Sequence, residues 1–238
     1  MTQPASGSAV ESTPNGSTLS ERLDAVNAAV AEAARESGRS ALDLTTVVVT
    51  KFHPATLVRE LFSRGVRDIG ESRHQEARVK TQEVADLDLT WHFIGQVQSK
   101  KVRQIAAYAQ VIHSIDRPSL LDSLASDERT MDCFLQLNLT EDPSRGGVPP
   151  ESLLALAEHA LATPGIRLRG VMAVAPLGEQ PRRAFARVRA ESERLQKIAP
   201  QATALSMGMS GDFREAILEG ATHLRIGTAI TGKRPPAS

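Results

Sequence analysis

The feature that most limits how this chain can fold is a regular change of hydrophobic period. Short runs rich in β-branched and apolar residues give way, again and again, to stretches with helical spacing. TTVVVTK precedes ATLVRELFSRG, VRDIGE precedes SRHQEARVKTQEVAD, LTWHFIG precedes QSKKVRQIAAYA, and QVIHSID precedes RPSLLDSLASDE. MDCFLQLNLT is followed by the loop EDPSRGGVPP and the helix ESLLALAEHALATP, and IRLRGVMAVAP by a long helix from about residue 180 to 199. ATALSMG leads into GDFREAILEG, and THLRIG closes the series, with TAITGKRPPAS read as a short tail. Eight such units in roughly 195 residues predict an α/β fold, a parallel sheet closed into a single (β/α)8 TIM barrel. An open doubly wound sheet fits less well, because no glycine-rich fingerprint follows the first strand.

An extra N-terminal helix, LSERLDAVNAAVAEAARESG, precedes the units. Leu19, Leu23, Val26 and Val30 recur at helical spacing, with Ser20 as the expected cap and Gly38 as the stop. Residues 1–17, rich in Ser, Thr, Pro and Gly, are expected to form a disordered tail. Residues 18–233 are read as one barrel domain and 234–238 as a flexible tail. The 28 Lys and Arg balance 28 Asp and Glu, which argues against a general binder of nucleic acid or membrane surfaces. One Trp and one Tyr leave no base-stacking platform. No apolar run approaches the roughly 18 residues that cross a bilayer, and the start has neither the basic nor the apolar region of a signal peptide. The single cysteine, Cys133, fits a reducing compartment, so a cytoplasmic protein is expected. The six histidines (53, 74, 92, 113, 159 and 223) lack ligand spacing. No metal site is expected, and most histidines are read as surface or strand-end residues. A monomer is expected, because no long exposed apolar helix stands out.

A barrel carries its chemistry at the C-terminal ends of its strands. Lys51, His92, Asn138, the run Ser206 to Gly211 and the run Arg225 to Thr228 fall there. In the loops after the seventh and eighth strands, Gly208, Gly211 and Gly227 let backbone approach a ligand, and Ser210 and Thr228 offer hydroxyls. A helix starting near Gly211 would aim free N–H groups at the same place, making a phosphate cup. Lys51 ends the most strand-like run of the chain. Carried into a poorly hydrated barrel mouth, its ammonium would lose a proton below the ordinary pKa of about 10.4. The free amine could then capture an aldehyde as a Schiff base. These parts fit either a sugar-phosphate aldolase or a pyridoxal 5′-phosphate (PLP) protein. Arg225, two residues before Gly227, can reach the far end of a bound ring. A guanidinium, with a pKa above about 12, donates a hydrogen bond to a pyridine nitrogen but hardly a proton. The ring is then a poor electron sink.

The stretches VVVTKFHP, DIGESRHQEA, WHFIGQVQSKK, HSID, LQLN, RLRGVMAVAP, LSMGMSGD and RIGTAITG resemble the pyridoxal phosphate homeostasis protein family, which is similar to the barrel domain of alanine racemase standing alone. The resemblance covers about residues 18–233. It implies that Lys51 is the aldimine lysine, that Ser210, Gly227 and Thr228 belong to the phosphate cup, and that Arg225 faces the pyridine nitrogen. His92 and the Gln98–Lys101 segment are implied to lie near the pocket. One departure is Gly70-Glu71-Ser72, where the family usually reads GEN. The implied role is non-catalytic: holding PLP, serving vitamin B6 and amino-acid homeostasis, and supplying apo PLP-dependent enzymes. The alternative, an amino-acid racemase, needs a second acid/base opposite Lys51, and the only tyrosine, Tyr108, lies in a helical pattern. An aldolase would need carboxylates such as Glu71 and Asp116 near the lysine. A pure docking protein could use the loop EDPSRGGVPP or the arginine-rich PRRAFARVRAESERLQK, but the interspersed glutamates read as a solvated helix face.

Overall fold

The computed structural model describes residues 16–234. The expected tails therefore lie, except for residues 16, 17 and 234, outside the described residues. Eight strands follow one another around a closed, all-parallel barrel: β1 (Thr45–Val49), β2 (Asp68–Glu71), β3 (Thr90–Phe93), β4 (Val111–Ile115), β5 (Met131–Gln136), β6 (Ile166–Met172), β7 (Ala204–Ser206) and β8 (His223–Ile226). Closure occurs where β8 pairs with β1, with Val47 opposite Arg225 and Val48 opposite Ile226. The period-two pattern of each strand divides its side chains between two compartments. Val48, Leu224 and Ile226 join the large core between barrel and helices, together with Leu61, Phe93, Leu135 and Phe185. A smaller interior cluster holds Val111, Phe134, Met172 and Ala204. Each large side chain taken out of water contributes about 1.5–3 kcal/mol.

The outer layer comprises α2 (Ala55–Ser63), α3 (His74–Glu83), α4 (Val102–Ala106), α5 (Pro118–Leu124), α6 (Leu153–Ala162), α7 (Pro181–Leu195) and α8 (Phe213–Leu218). The extra helix, α1 (Leu19–Glu36), packs on α8 and on α9 (Thr228–Thr231), and Arg22 Nε donates to the Ile230 carbonyl at 2.7 Å. Gly170 stands at the register shift between β5 and β6, with φ of 153°. A Cβ there would lie 1.8 Å from the Ala204 carbonyl oxygen, so only glycine lets β6 run this close to β7.

Four boundaries, among others, differ from the sequence reading. Thr18, not Ser20, caps α1. Its hydroxyl accepts the Glu21 N–H at 3.3 Å and Glu21 Oε2 accepts the Thr18 N–H at 2.7 Å, the reciprocal capping box. Thr18→Ala is expected to lower the unfolding free energy by about 1 kcal/mol in chemical denaturation. The segment after β8 is not simply a tail: α9 is a single helical turn, too short for periodicity to reveal. Finally, β1 stops at Val49 and β5 at Gln136, so Lys51 and Asn138 stand beyond their strands. Among the described residues, no helix is long and apolar enough to cross a membrane.

Candidate functional site

Lys51 sits at the C-terminal end of the barrel on a turn closed by the His53 N–H donating to the Thr50 carbonyl at 3.0 Å. It shares the inward parity of Val47 and Val49. The next residue, Phe52, has φ of 69°, in the left-handed region that a bulky side chain rarely adopts. Its N–H is held by Glu76 Oε2 at 3.1 Å, and its ring lies 4.0 Å from the Arg234 guanidinium and 6.0 Å from Lys51 Nζ. The side chain of Lys51 is exposed, which corrects the expectation of a poorly hydrated lysine. The residue buried at the strand's end is Thr50, because the strand finishes one residue before it and the chain then turns outward.

Beneath this turn lies a buried ion pair that the sequence reading missed. Lys80 of α3 contacts Glu71 Oε1 and donates to the Thr50 carbonyl at 2.8 Å, and Thr50 Oγ1 donates to the same carboxylate oxygen at 2.7 Å. Burial raises the Glu71 pKa, while Lys80 and the Thr50 hydroxyl oppose the rise. A signal was present: Ala77, Lys80 and Val84 form one buried stripe at helical spacing, and a lysine on such a stripe needs a partner.

The loops after β7 and β8 meet across the closing strands. Ser210 Oγ and Thr228 Oγ1 are 3.4 Å apart, and the Ala229 N–H donates to Ser210 Oγ at 3.3 Å. Asp212 Oδ1 folds back to accept the Met209 N–H at 2.6 Å, and α8 begins one residue later. Gly208 has φ of 94°, accepts the Arg225 N–H at 2.9 Å, and could carry a Cβ only 2.7 Å from Ala216 Cβ. Gly227 differs: a Cβ there would make ordinary contact with Val49 at 3.6 Å. This contact puts the end of β1, and Lys51 just beyond it, beside the loop that carries Thr228.

Arg225 is buried on the inner wall, only 4% exposed. Nη1 donates to Ser206 Oγ at 2.7 Å and Nη2 to the Ala173 carbonyl at 2.9 Å. Its partners are a hydroxyl and a carbonyl rather than a rim carboxylate. Burial holds its pKa down to about 10, with Asp212 opposing. That is lower than expected for arginine, yet the group is a cation at neutral pH.

The structure thus groups Gly208, Ser210, Gly227 and Thr228, sets Arg225 behind them, and puts Lys51 on the neighbouring strand end. It does not bring in Asn138, whose amide organises its own loop through Thr140 and Asp142, each at 2.9 Å. Nor does it put His92 at the mouth. The expectation that most histidines are surface or strand-end residues fails for His92 and His113, which are buried inside the barrel. His92 Nε2 pairs with Asp68 Oδ1 at 2.9 Å, and His92 Nδ1 with His113 Nε2 at 2.9 Å.

His113 and the neighbouring His223 make the fold acid-sensitive. Burial, reinforced by His92 and Arg169, lowers the His223 pKa to about 4, and burial lowers His113 well below the ordinary value. Unfolded imidazoles titrate near pH 6.5. As pH falls from about 6.5 towards 4, the unfolded chain takes up protons that the native chain refuses. Stability is therefore present above that window and lost across it. The denaturation midpoint is expected to fall through that range, and His113→Asn to flatten the fall.

The family model for alanine racemase, N-terminal domain, matches residues 22–235. The fold therefore defines a barrel of the alanine racemase N-terminal class. The chain is 43% identical over 225 residues to the pyridoxal phosphate homeostasis protein of Pseudomonas aeruginosa, covering 92% of this chain and 96% of that one. It is 42% identical over 200 residues to the protein of the same name from Corynebacterium glutamicum, covering 79% and 90%. The chain belongs to the pyridoxal phosphate homeostasis protein family. Among solved structures, PipY of Synechococcus elongatus with PLP bound is similar at a TM-score of 0.79 and 35% identity, over 90% of this chain and 100% of that one. Alanine racemase from Corynebacterium glutamicum, at 13% identity and a TM-score of 0.67, covers 91% of this chain, which spans 64% of that protein, and shares the fold.

Proposed function

We propose that this chain binds PLP covalently through Lys51 and keeps it in reserve for PLP-dependent enzymes of the cytoplasm, with no turnover of its own. When bound, PLP brings an aldehyde that a primary amine can capture. The residues suit the rest of the molecule. The Ser210 and Thr228 hydroxyls and the adjacent backbone fit a phosphate, and a Cβ on Gly211 would meet nothing within 4 Å, so that loop has room beside it.

The observation that carries the non-catalytic reading is Arg225. It is buried and cationic, and it keeps N–H groups beyond the two donated to Ser206 and Ala173. Such a group donates a hydrogen bond to a ring nitrogen without protonating it. The acids and bases that the rival roles would call on are engaged elsewhere. Tyr108 is bonded to His74 at 3.3 Å, and burial pushes its hydroxyl pKa up, which makes it a poor proton donor for a racemase. Glu71 is engaged with Lys80, and Asp116 with Arg117, so neither is free for aldolase chemistry.

The test is borohydride reduction of PLP-loaded protein followed by peptide mapping, with an alanine racemisation assay in parallel. Label on Lys51 and no interconversion of L- and D-alanine are expected. Label on another residue, or enzyme-like racemisation, would overturn the reading.

A further inference from the structure

A continuous hydrogen-bonded chain runs through the barrel interior from Arg225, and PLP binding as described uses only its first member. Arg225 Nη1 is 2.7 Å from Ser206 Oγ, which is 2.7 Å from His113 Nδ1. His113 Nε2 is 2.9 Å from His92 Nδ1, and His92 Nε2 is 2.9 Å from Asp68 Oδ1. The chain crosses from β8 through β7, β4 and β3 to the first residue of β2. Arg225, Ser206, His113 and His92 are buried, while the Asp68 side chain is 32% exposed at the N-terminal end of the barrel.

Donors and acceptors along this chain determine one another. A guanidinium only donates and a carboxylate only accepts, so Asp68 takes the Nε2 proton of His92. With both rings neutral, His92 Nδ1 accepts from His113 Nε2. His113 Nδ1 then accepts the Ser206 hydroxyl proton, and Ser206 Oγ turns its lone pairs towards Arg225. Every link runs in the same direction, from cation to carboxylate. Burial and the neighbouring His92, Arg225 and His223 hold the His113 pKa well below the ordinary value, which keeps that ring neutral. Phe134, stacked 4.5 Å from His113, fixes the ring plane.

Resting on the reading that Arg225 faces the ring nitrogen of PLP, we propose that Ser206 is a positioning residue for Arg225, and that His113, His92 and Asp68 set the direction of its hydroxyl. Ser206 and the Ala173 carbonyl together pin both terminal nitrogens of the guanidinium. Its remaining N–H groups are presented to the ring nitrogen in one orientation. Without the Ser206 acceptor the guanidinium is held by a single carbonyl and can pivot. Without Asp68, His92 is free to change tautomer and the hydroxyl loses its enforced direction.

The test loads the protein with PLP isotopically labelled at the ring nitrogen and reads that atom's NMR resonance. Ser206→Ala is expected to displace the resonance and to weaken PLP binding about tenfold, the loss of one hydrogen bond. Ser206→Thr is expected to restore both. Asp68→Ala, which touches neither Arg225 nor the cup, is expected to displace the resonance too. It decides the matter if Ser206→Ala fails to fold. An unchanged resonance in a folded Ser206→Ala or Asp68→Ala overturns the proposal. Arg225→Lys separates the two levels of the argument. If the wild-type protein takes up no PLP, or if Arg225→Lys leaves the resonance unmoved, the PLP-site reading itself fails. If Arg225→Lys moves the resonance and Ser206→Ala does not, only the relay fails.

Discussion

Lys51→Ala is expected to abolish the borohydride-stable adduct with PLP and to weaken PLP retention by about a hundredfold or more. The proposed cup of Ser210, Gly227 and Thr228 and the Arg225 guanidinium remain, but they offer only reversible contacts. Lys51→Arg should lose as much, since a guanidinium keeps the charge and is no nucleophile. Absorption spectra and equilibrium dialysis measure the two effects. Lys80, which bonds to the Thr50 carbonyl beside Lys51, does not substitute. Its ammonium is buried and committed to Glu71 and the Thr50 carbonyl, whereas Lys51 is exposed on its turn. A persistent adduct in Lys51→Ala would move the attachment site elsewhere and undo the proposed role of this residue.

Lys80→Met is expected to have the largest effect on stability, about 3–5 kcal/mol, because it leaves an uncompensated carboxylate in the interior. For a domain of this size, that is a fall of roughly 10 °C in Tm. The Lys80 and Glu71 side chains are 5% and 1% exposed, and Glu71 Oε2 has no hydrogen-bond partner among the described residues. Glu71→Gln in the same background removes the stranded charge and should recover more than half of the loss. The pH dependence has a definite sign. Burial already raises the Glu71 pKa, and Lys80 is the chief opposing influence. Without Lys80, the native carboxyl holds its proton more tightly than the unfolded one does. The stability this contributes is present at acid pH and is lost as pH rises through the raised value. Thermal melts should therefore show the variant least impaired in mild acid.

The barrel was legible because its information is local. Each strand, each helix and their alternation can be read without knowing what lies across the sheet, and the boundaries missed were those of single turns, such as α9. The meeting of these two loops was legible for a similar reason: Gly208, Ser210, Gly227 and Thr228 lie in two short segments on consecutive strands. The place of Lys51 at the end of the first strand was legible, but its exposure was not, since that depends on where β1 stops, two residues earlier. The interior chain was out of reach. Asp68, His92, His113, Ser206 and Arg225 come from five strands, and strand parity shows which way each points but not which partner it meets after closure. Lys80 occupies a middle ground, since helical spacing marks it as buried but does not name Glu71 as its counter-charge.

The rings inside the barrel carry one more consequence. Phe134 stacks 4.5 Å from His113 and meets His223 edge-on at 5.0 Å, while His92 closes on His113 at 5.1 Å. These side chains fill the barrel interior beneath Arg225. On the proposed reading, PLP held at Lys51 would arrive and depart at the C-terminal rim of the strands, so loading and unloading would compete for the same face, and an enzyme collecting it directly would dock there.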